Sequence, residues 1–329
     1  MFKICVVGCG GMSSSGHGPS FKKYYEDYPD VRLCACCDLD EEKAKRYMEK
    51  FGFETYYTDF NKMLDEIKPD VVSMIMPVNL TAKISKQIMK KGYNIIMEKP
   101  PGLDRAEIES MIEVASEANV CVRTCFNRRY TPLVLKLKEL LAADKEEILN
   151  ITYQMYRYKR FDKDFATTAI HAIDVVKDIV GADYKKVDFT YQEKPECGES
   201  VANMYMTCEF ENGAVGQITL VPIGGAVTER ITVNTLNSTY FVELPMWDNC
   251  DSPGRLRCYR QVELVADICG ADLVDDVKMY LESGFYDENR LYFEKLRASD
   301  EVFSDLESAI QSVEISNCLR ERKATYVKK

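Results

Sequence analysis

The sequence predicts two domains of different texture. The first is an α/β domain with a parallel sheet and helices on both faces. The second is an α+β domain with a mostly antiparallel sheet. Three observations lead there. In the first half, short and nearly continuous apolar runs alternate with charged helical segments, the pattern of strands buried on both faces between crossover helices. In the second half, β-rich runs follow one another with few helices between them, and Glu211-Asn212-Gly213 signals a hairpin joining two of them. The chain has 329 residues, which at about 150 per domain is room for roughly two. The boundary is set at 1–127 and 128–329, with the last helix, about 305–321, free to return to the first domain.

Phe2 to Val7 is a β-branched strand that ends in Gly8-Cys9-Gly10-Gly11. Ser13 to Gly18 reads as a small insertion, and Pro19 to Tyr28 as the first helix. Val31 to Cys37 is a second strand, closed by Asp38. Asp40 to Phe51 is charged and helix-favouring, and Gly52 stops it. A short strand at Thr55 to Tyr57 and a helix from Asp59 to Ile67 follow. Asp70 to Met76 is an apolar strand ended by Pro77. Leu80 to Lys91 is helical, with Gly92 as its stop. Asn94 to Met97 is a strand, Leu103 to Ala118 a helix capped by Asp104, and Val120 to Phe126 the sixth strand. The second half opens with a long strand from Ile148 to Arg160, then a helix over Thr167 to Val180. Strands follow at Val187 to Glu193, Val201 to Glu211, Ala214 to Val221, Glu229 to Thr235 and Thr239 to Leu244. Asp287 to Ala298 and Leu306 to Glu321 are closing helices.

Composition narrows the function. The net charge is −10, from 43 basic and 53 acidic residues, and the basic clusters are short, so nucleic acid is not an expected partner. The longest apolar stretch falls far short of the ~20 residues that span a bilayer. Only Lys3 precedes an apolar run that Gly8 soon breaks, so no secretory leader is read. The 13 cysteines have no framework spacing, which points to reduced thiols in the cytoplasm. Cys34 and Cys37 lie on one strand and face opposite ways, which spoils both a zinc corner and a redox pair. With only two histidines, His17 and His171, a multi-histidine metal site is excluded by counting.

The residues that carry chemistry sit where strands end. Gly8, Gly10 and Gly11 follow the first strand, where glycine lets the backbone approach a pyrophosphate. The usual third glycine falls at Ser13, so the fingerprint is imperfect. Asp38 ends the second strand, where an acid accepts hydrogen bonds from ribose hydroxyls and repels a 2′-phosphate. Asp40, Glu41 and Glu42 add to that repulsion, so NAD is expected over NADP. Glu98-Lys99-Pro100-Pro101 follows the fifth strand, at the sheet edge where open sheets bind ligands. On the second-half helix, Thr167, His171, Asp174 and Asp178 share one stripe, and Ile170, Ile173, Val176 and Val180 form the apolar face. Asp174 is placed to orient the His171 imidazole. Arg157 and Lys159 share one face of their strand and are candidates to contact substrate polar groups.

The glycine turn, Asp38, Pro77-Val78-Asn79, Glu98-Lys99-Pro100 and Asn127-Arg128-Arg129-Tyr130 occur in the order seen in the Gfo/Idh/MocA oxidoreductases. His171 with Asp174 and the late Tyr286-Asp287-Glu288-Asn289 segment continue it, so the resemblance covers nearly the whole chain. It implies an N-terminal Rossmann domain that binds the dinucleotide, and a C-terminal domain that binds substrate and whose large open sheet often forms a dimer face, giving a homodimer or homotetramer. It implies NAD contacts from Met12, Pro77, Asn79, Glu98 and Lys99 beside those of the glycines and Asp38. Lys99 and His171 match the lysine and histidine that in the family flank the reacting hydroxyl of a sugar, inositol or related polyol. Asn127 and Thr167 join Lys99, Arg157 and His171 as substrate-binding candidates. Two departures stand out: Thr167 occupies the position where many members place an aspartate, and Leu80-Thr81-Ala82 lacks the histidine that often follows the Pro-x-Asn. A redox-neutral sugar hydrolase or epimerising enzyme with retained NAD, or a non-catalytic NAD-dependent sensor, would carry the same motifs.

Overall fold

The computed structural model describes residues 1–247, 249–299 and 301–328. The chain forms two compact units, Met1–Phe126 with Phe285–Ile310, and Asn127–Gly284 with Gln311–Lys329.

The first unit alternates strand and helix: β1 (Phe2–Val7), α1 (Gly18–Asp27), β2 (Val31–Cys37), α2 (Glu41–Phe51), β3 (Thr55–Tyr57), α3 (Phe60–Ile67), β4 (Val71–Met74), α4 (Val78–Lys90), β5 (Asn94–Glu98), α5 (Arg105–Ala118) and β6 (Val122–Cys125). The strands pair in parallel in the order β3-β2-β1-β4-β5-β6. Strand order reverses between β1 and β4, and open sheets bind ligands at such a switch point. The apolar runs are buried on both faces: Ile4, Val6, Val71 and Ile96 pack with Phe21 and Tyr24 of α1. Asp40 and Asp104 cap α2 and α5 by accepting from the backbone N–H groups of Lys43 and Glu107, as side-chain oxygens at a helix start do.

The second unit contains α6 (Pro132–Asp144), β7 (Asn150–Tyr156), α7 (Ala166–Val180), β8 (Tyr184–Glu193), β9 (Ala202–Phe210), β10 (Val215–Val221), β11 (Thr228–Asn234), β12 (Ser238–Leu244), β13 (Arg255–Arg260), β14 (Glu263–Cys269) and α8 (Met279–Glu282). The chain continues through α9 (Phe285–Ala298), α10 (Leu306–Arg320) and β15 (Thr325–Val327). Of these, α9 belongs to the first unit and β15 to the second. Nine strands pair in the order β14-β13-β12-β11-β7-β10-β9-β8-β15. Among the described residues of this sheet, β7 and β10 pair in parallel and the other pairs are antiparallel. Along β9 burial alternates residue by residue, the signature of a sheet with one packed and one open face. Leu133 and Leu137 of α6 and Ile173 and Val176 of α7 cover the packed face.

The structure adds α6, α8, β13, β14 and β15 to the elements read from sequence, and it ends the expected Ile148–Arg160 strand at Tyr156. It also reinterprets the insertion after the glycine turn. Residues 13–17 form a π-helical turn that leads directly into α1. The surplus residues widen one helical turn instead of making a loop. Ser13, at the third-glycine position, is buried and its hydroxyl donates to Tyr47 at 3.0 Å. The close-packing glycine has moved to Gly16, where a Cβ would lie 2.7 Å from the Phe285 ring.

Candidate functional site

The carboxyl edge of the parallel sheet gathers most of the nominated cofactor residues. Gly8 leaves β1 at φ +101°. A Cβ there would stand 2.0 Å from the Ile75 carbonyl oxygen, so only glycine lets the strand ends approach. Gly10 and Gly11 are different, because a Cβ on either would meet nothing within 4 Å. Packing does not demand glycine at these two positions. They leave bare backbone facing open space, the cradle a pyrophosphate needs. Asp38 is fixed at both carboxylate oxygens: Cys9 N–H donates to Oδ2 at 2.8 Å and Asp40 N–H to Oδ1 at 3.0 Å. A carboxylate oxygen accepts more than one hydrogen bond, so Asp38 keeps capacity for ribose hydroxyls.

A cavity of about 450 Å³ opens here, lined by Gly8, Gly10, Asp38 and Pro77 together with Ile75 and Leu80 among others. A neighbouring one of about 390 Å³ places Lys43, Arg46 and Lys50 of α2 beside Gly10 and Gly11. The acidic run Asp40-Glu41-Glu42 is therefore balanced by a basic stripe on the same helix. Met12 and Asn79 are exposed and line neither cavity. These features fit a dinucleotide: an apolar slot, an anchored ribose acceptor, and open glycine backbone next to cations.

Glu98 is the last residue of β5, and Lys99 follows it, half-buried. The Lys99–Pro100 peptide bond is cis. Glu98 accepts at Oε1 from His17 Nε2 (2.9 Å) and at Oε2 from the Lys99 backbone N–H (3.1 Å). Burial alone would raise its carboxyl, but the His17 hydrogen bond and the Lys99 charge outweigh that and hold it below the ordinary value.

The second unit carries the other nominated residues. His171 and Asp174 lie on α7, 8% and 1% exposed, so the stripe expected to be a polar face is buried at its centre. The Asp174 carboxylate accepts from Arg129 at Nε (2.6 Å) and Nη2 (2.5 Å), and from Ser312 Oγ (3.3 Å). The expectation that Asp174 orients His171 thus meets a carboxylate whose hydrogen bonds run to Arg129 and Ser312. Burial pushes this carboxyl up, and Arg129 brings it only part of the way back. Thr167 is half-buried and its hydroxyl donates to the Asp164 carbonyl at 2.9 Å.

Arg157 lies buried after β7. Its guanidinium donates to Glu229 and to the carbonyls of Tyr156 and Thr228. The residue expected to contact substrate thus lies in a buried ion cluster. Glu229 also accepts from both Nε (3.2 Å) and Nη2 (3.0 Å) of Arg128 and from the Tyr153 hydroxyl. Asn127 supports that cluster: its Oδ1 accepts from Arg128 at 3.0 Å and its Nδ2 donates to the Ser283 carbonyl at 2.8 Å.

Two residues in the first unit received no role from sequence, although Asn289 belongs to the late Tyr286-Asp287-Glu288-Asn289 segment. His17, fully buried on the π turn, contacts Glu98, and Asn289 of α9 contacts His17. The flanking Gly16 and Gly18 were the available signal, since glycines on both sides of a histidine permit close packing around it. Among the described residues, no group of three metal-ligating side chains could hold an ion.

A parallel sheet with this strand order and switch point has the Rossmann arrangement. Residues 2–126 match the GFO_IDH_MocA model, described as oxidoreductase family, NAD-binding Rossmann fold. The chain is 27% identical to a myo-inositol 2-dehydrogenase of Thermotoga maritima over 229 residues, covering 66% of this chain and 67% of that one. It is 26% identical to a D-glucoside 3-dehydrogenase of Escherichia coli over 137 residues, 42% of this chain and 38% of that one. The second match thus spans under half of its relative's length. Among solved structures, an NAD binding oxidoreductase from Klebsiella pneumoniae superposes with TM-score 0.82 at 18% identity, covering 100% and 99% of the two chains. A levoglucosan dehydrogenase in complex with NADH and levoglucosan gives 0.81 at 16% identity, covering 99% of each. At these identities the structures show the shared two-domain fold. Among the described residues, no helix is long and apolar enough to cross a membrane.

Proposed function

We propose that this protein is an NAD-dependent dehydrogenase of a sugar, inositol or related polyol, working in the cytoplasm as a homodimer or homotetramer. The observation that carries the reading is the carboxyl edge of the parallel sheet. There, open backbone at Gly10 and Gly11, an anchored Asp38 and Lys99 share one rim. The relatives' names, inositol and glucoside dehydrogenases, support the substrate class. The nicotinamide, when bound, supplies the hydride acceptor. Lys99 donates a hydrogen bond to the substrate oxygen as negative charge develops on it. His171 accepts the hydroxyl proton as a neutral imidazole. Asp174 holds Arg129, and Arg157 with Asn127 serves the Glu229 cluster, so these three support the substrate unit from behind.

NAD is favoured over NADP by Asp38, whose charge faces the ribose position. Lys43 and Arg46 work the other way, and one relative is an NADP-dependent xylose dehydrogenase. Fluorescence titration with NADH and NADPH measures the balance. Exposed Tyr205, Val215 and Phe241 on the open sheet face support self-association.

The test is absorbance at the reduced-nicotinamide band with NAD and a pool of cyclitols, aldoses, uronic acids and glycosides. The signal should rise with the wild type and fall by roughly 10²-fold or more in Lys99→Ala, with NADH binding kept. Wild-type turnover in that variant removes Lys99 from the mechanism.

A further inference from the structure

His17, Glu98 and Asn289 form a buried chain of hydrogen bonds that the proposed chemistry does not use. Asn289 Nδ2 donates to the Phe285 carbonyl at 2.7 Å. That contact fixes which end of the amide is the donor. The same nitrogen lies 3.2 Å from His17 Nδ1, so Nδ1 is an acceptor and carries no proton. The proton of the neutral ring is then on Nε2, which donates to Glu98 Oε1 at 2.9 Å. The other Glu98 oxygen accepts the backbone N–H of Lys99. One carboxylate thus ties a histidine on one side to the peptide of Lys99 on the other.

The local fold is arranged to bring this histidine inward. His17 ends the π turn of residues 13–17, and single π turns recur at functional sites. The Phe21 and Phe285 rings lie 5.9 and 5.3 Å from its imidazole, so water is excluded around it and each polar contact counts more. Among the described residues, the charged and titratable groups near Glu98 are His17 from the π turn, Lys99 from the chain after β5, Cys125 from β6 and Glu288 from α9. Glu288 is fully buried, and in turn faces Arg123, Asp305 and Cys125. Burial and the Glu98 charge push its carboxyl well above the ordinary value. The two carboxyls therefore divide the roles, with the anion on Glu98, beside Lys99.

We propose that His17 is a positioning residue for Lys99: its Nε2–H holds one oxygen of the Glu98 carboxylate while the other oxygen holds the Lys99 backbone N–H, so that the carboxylate is fixed beside the lysine. The proposal rests on the reading of Lys99 as a working residue. It goes beyond that reading by assigning the lysine's control to a histidine that does not touch substrate or cofactor.

The test reads Lys99 directly. Reductive methylation with isotopic formaldehyde and cyanoborohydride, followed by peptide mass spectrometry, gives the labelling rate of Lys99 between pH 6 and pH 8. Only the neutral amine reacts, and an adjacent carboxylate lowers the neutral fraction. Glu98→Gln removes the anion, and Lys99 should label about 10-fold faster, the size of a one-unit shift for a close charge pair. His17→Leu strips the buried carboxyl of its donor, so Glu98 takes up a proton and Lys99 should speed up in the same direction at pH 6. His17→Gln keeps an N–H for Glu98 and a carbonyl for Asn289, and should label at the wild-type rate. Circular dichroism melts verify folding. If His17→Leu melts early, His17→Asn, polar but too short to reach Glu98, takes its place with the same expectation. A wild-type Lys99 rate in a folded His17 variant, or in Glu98→Gln, overturns the proposal. Failure of the catalytic reading shows separately, as no protection of Lys99 from label by NADH.

Discussion

Glu229 and Asp174 are both buried carboxylates answered by arginine in the same unit, yet their surroundings drive them in opposite directions. Glu229 sits on a central strand between two guanidiniums and a tyrosine hydroxyl. Burial opposes its charge, but Arg128 and Arg157 prevail and bring the carboxyl down to about 2. Asp174 sits on a helix with one guanidinium, and the nearby Asp178 adds to the penalty of burial, so its carboxyl ends above the ordinary value. Pairing with arginine does not by itself stabilise a buried acid; the count of cations against the desolvation cost decides. Glu229 is a clamp that holds β7, β11 and the chain at Arg128 together. Asp174 is a charge held at some cost, three residues from His171 on α7.

The largest expected effect separates these two roles. Glu229→Gln leaves two buried guanidiniums without their shared anion and should lower stability by about 3–5 kcal/mol, read as the shift of a urea unfolding curve. A loss below ~1 kcal/mol would mean that the cluster is not a clamp. Asp174→Asn should cost less, about 1–3 kcal/mol, since a hydrogen-bonding group of the same shape remains and the lost charge was already disfavoured. Its turnover on the substrate found from the sugar pool should fall by more than its stability explains. If the two variants are equally unstable, the comparison fails.

The smallest effect is in the pH dependence. Glu229 has a folded value below its unfolded one near 4.3. Its contribution is therefore present above that pH and is lost as pH falls toward about 2. Asp174 has the opposite sign: its raised value favours the folded state at acid pH, and that contribution is lost as pH rises through it. Acid unfolding followed by circular dichroism should lose part of its slope between about pH 4.5 and 2 in Glu229→Gln and keep it in Asp174→Asn.

Both clusters were hard to see in the sequence, and for physical reasons. The alternation of strand and helix in the first half was legible because strands buried on both faces are apolar throughout, and each helix carries its own cap or stop. The α6 segment Leu133-Val134-Leu135-Lys136-Leu137-Lys138 was missed because its apolar residues fit a period of two as well as a helical one. Edge strand β14 was missed because its residues are mostly exposed and so carry no buried face to mark it. Lys99 and Asp38 can be nominated from sequence because a strand end fixes a residue's place with little reference to the rest of the fold. The pairing of Arg157 with Glu229 is not legible in the sequence, because alternation along a strand says which residues share a face but not what that face meets. The position of His17 depends on a single π turn, a change in backbone winding that leaves no mark in composition.

Gly8 and its neighbours bear on descent. A side chain at residue 8 would collide with the Ile75 carbonyl, 2.0 Å from its Cβ, whereas Gly10 and Gly11 face nothing within 4 Å. A lineage that gave up its nucleotide would therefore still inherit Gly8, because the sheet cannot be assembled without it, while residues 10 and 11 would be released to drift. Among distant descendants of this fold, the first glycine records ancestry, and the next two record whether the cofactor is still in use.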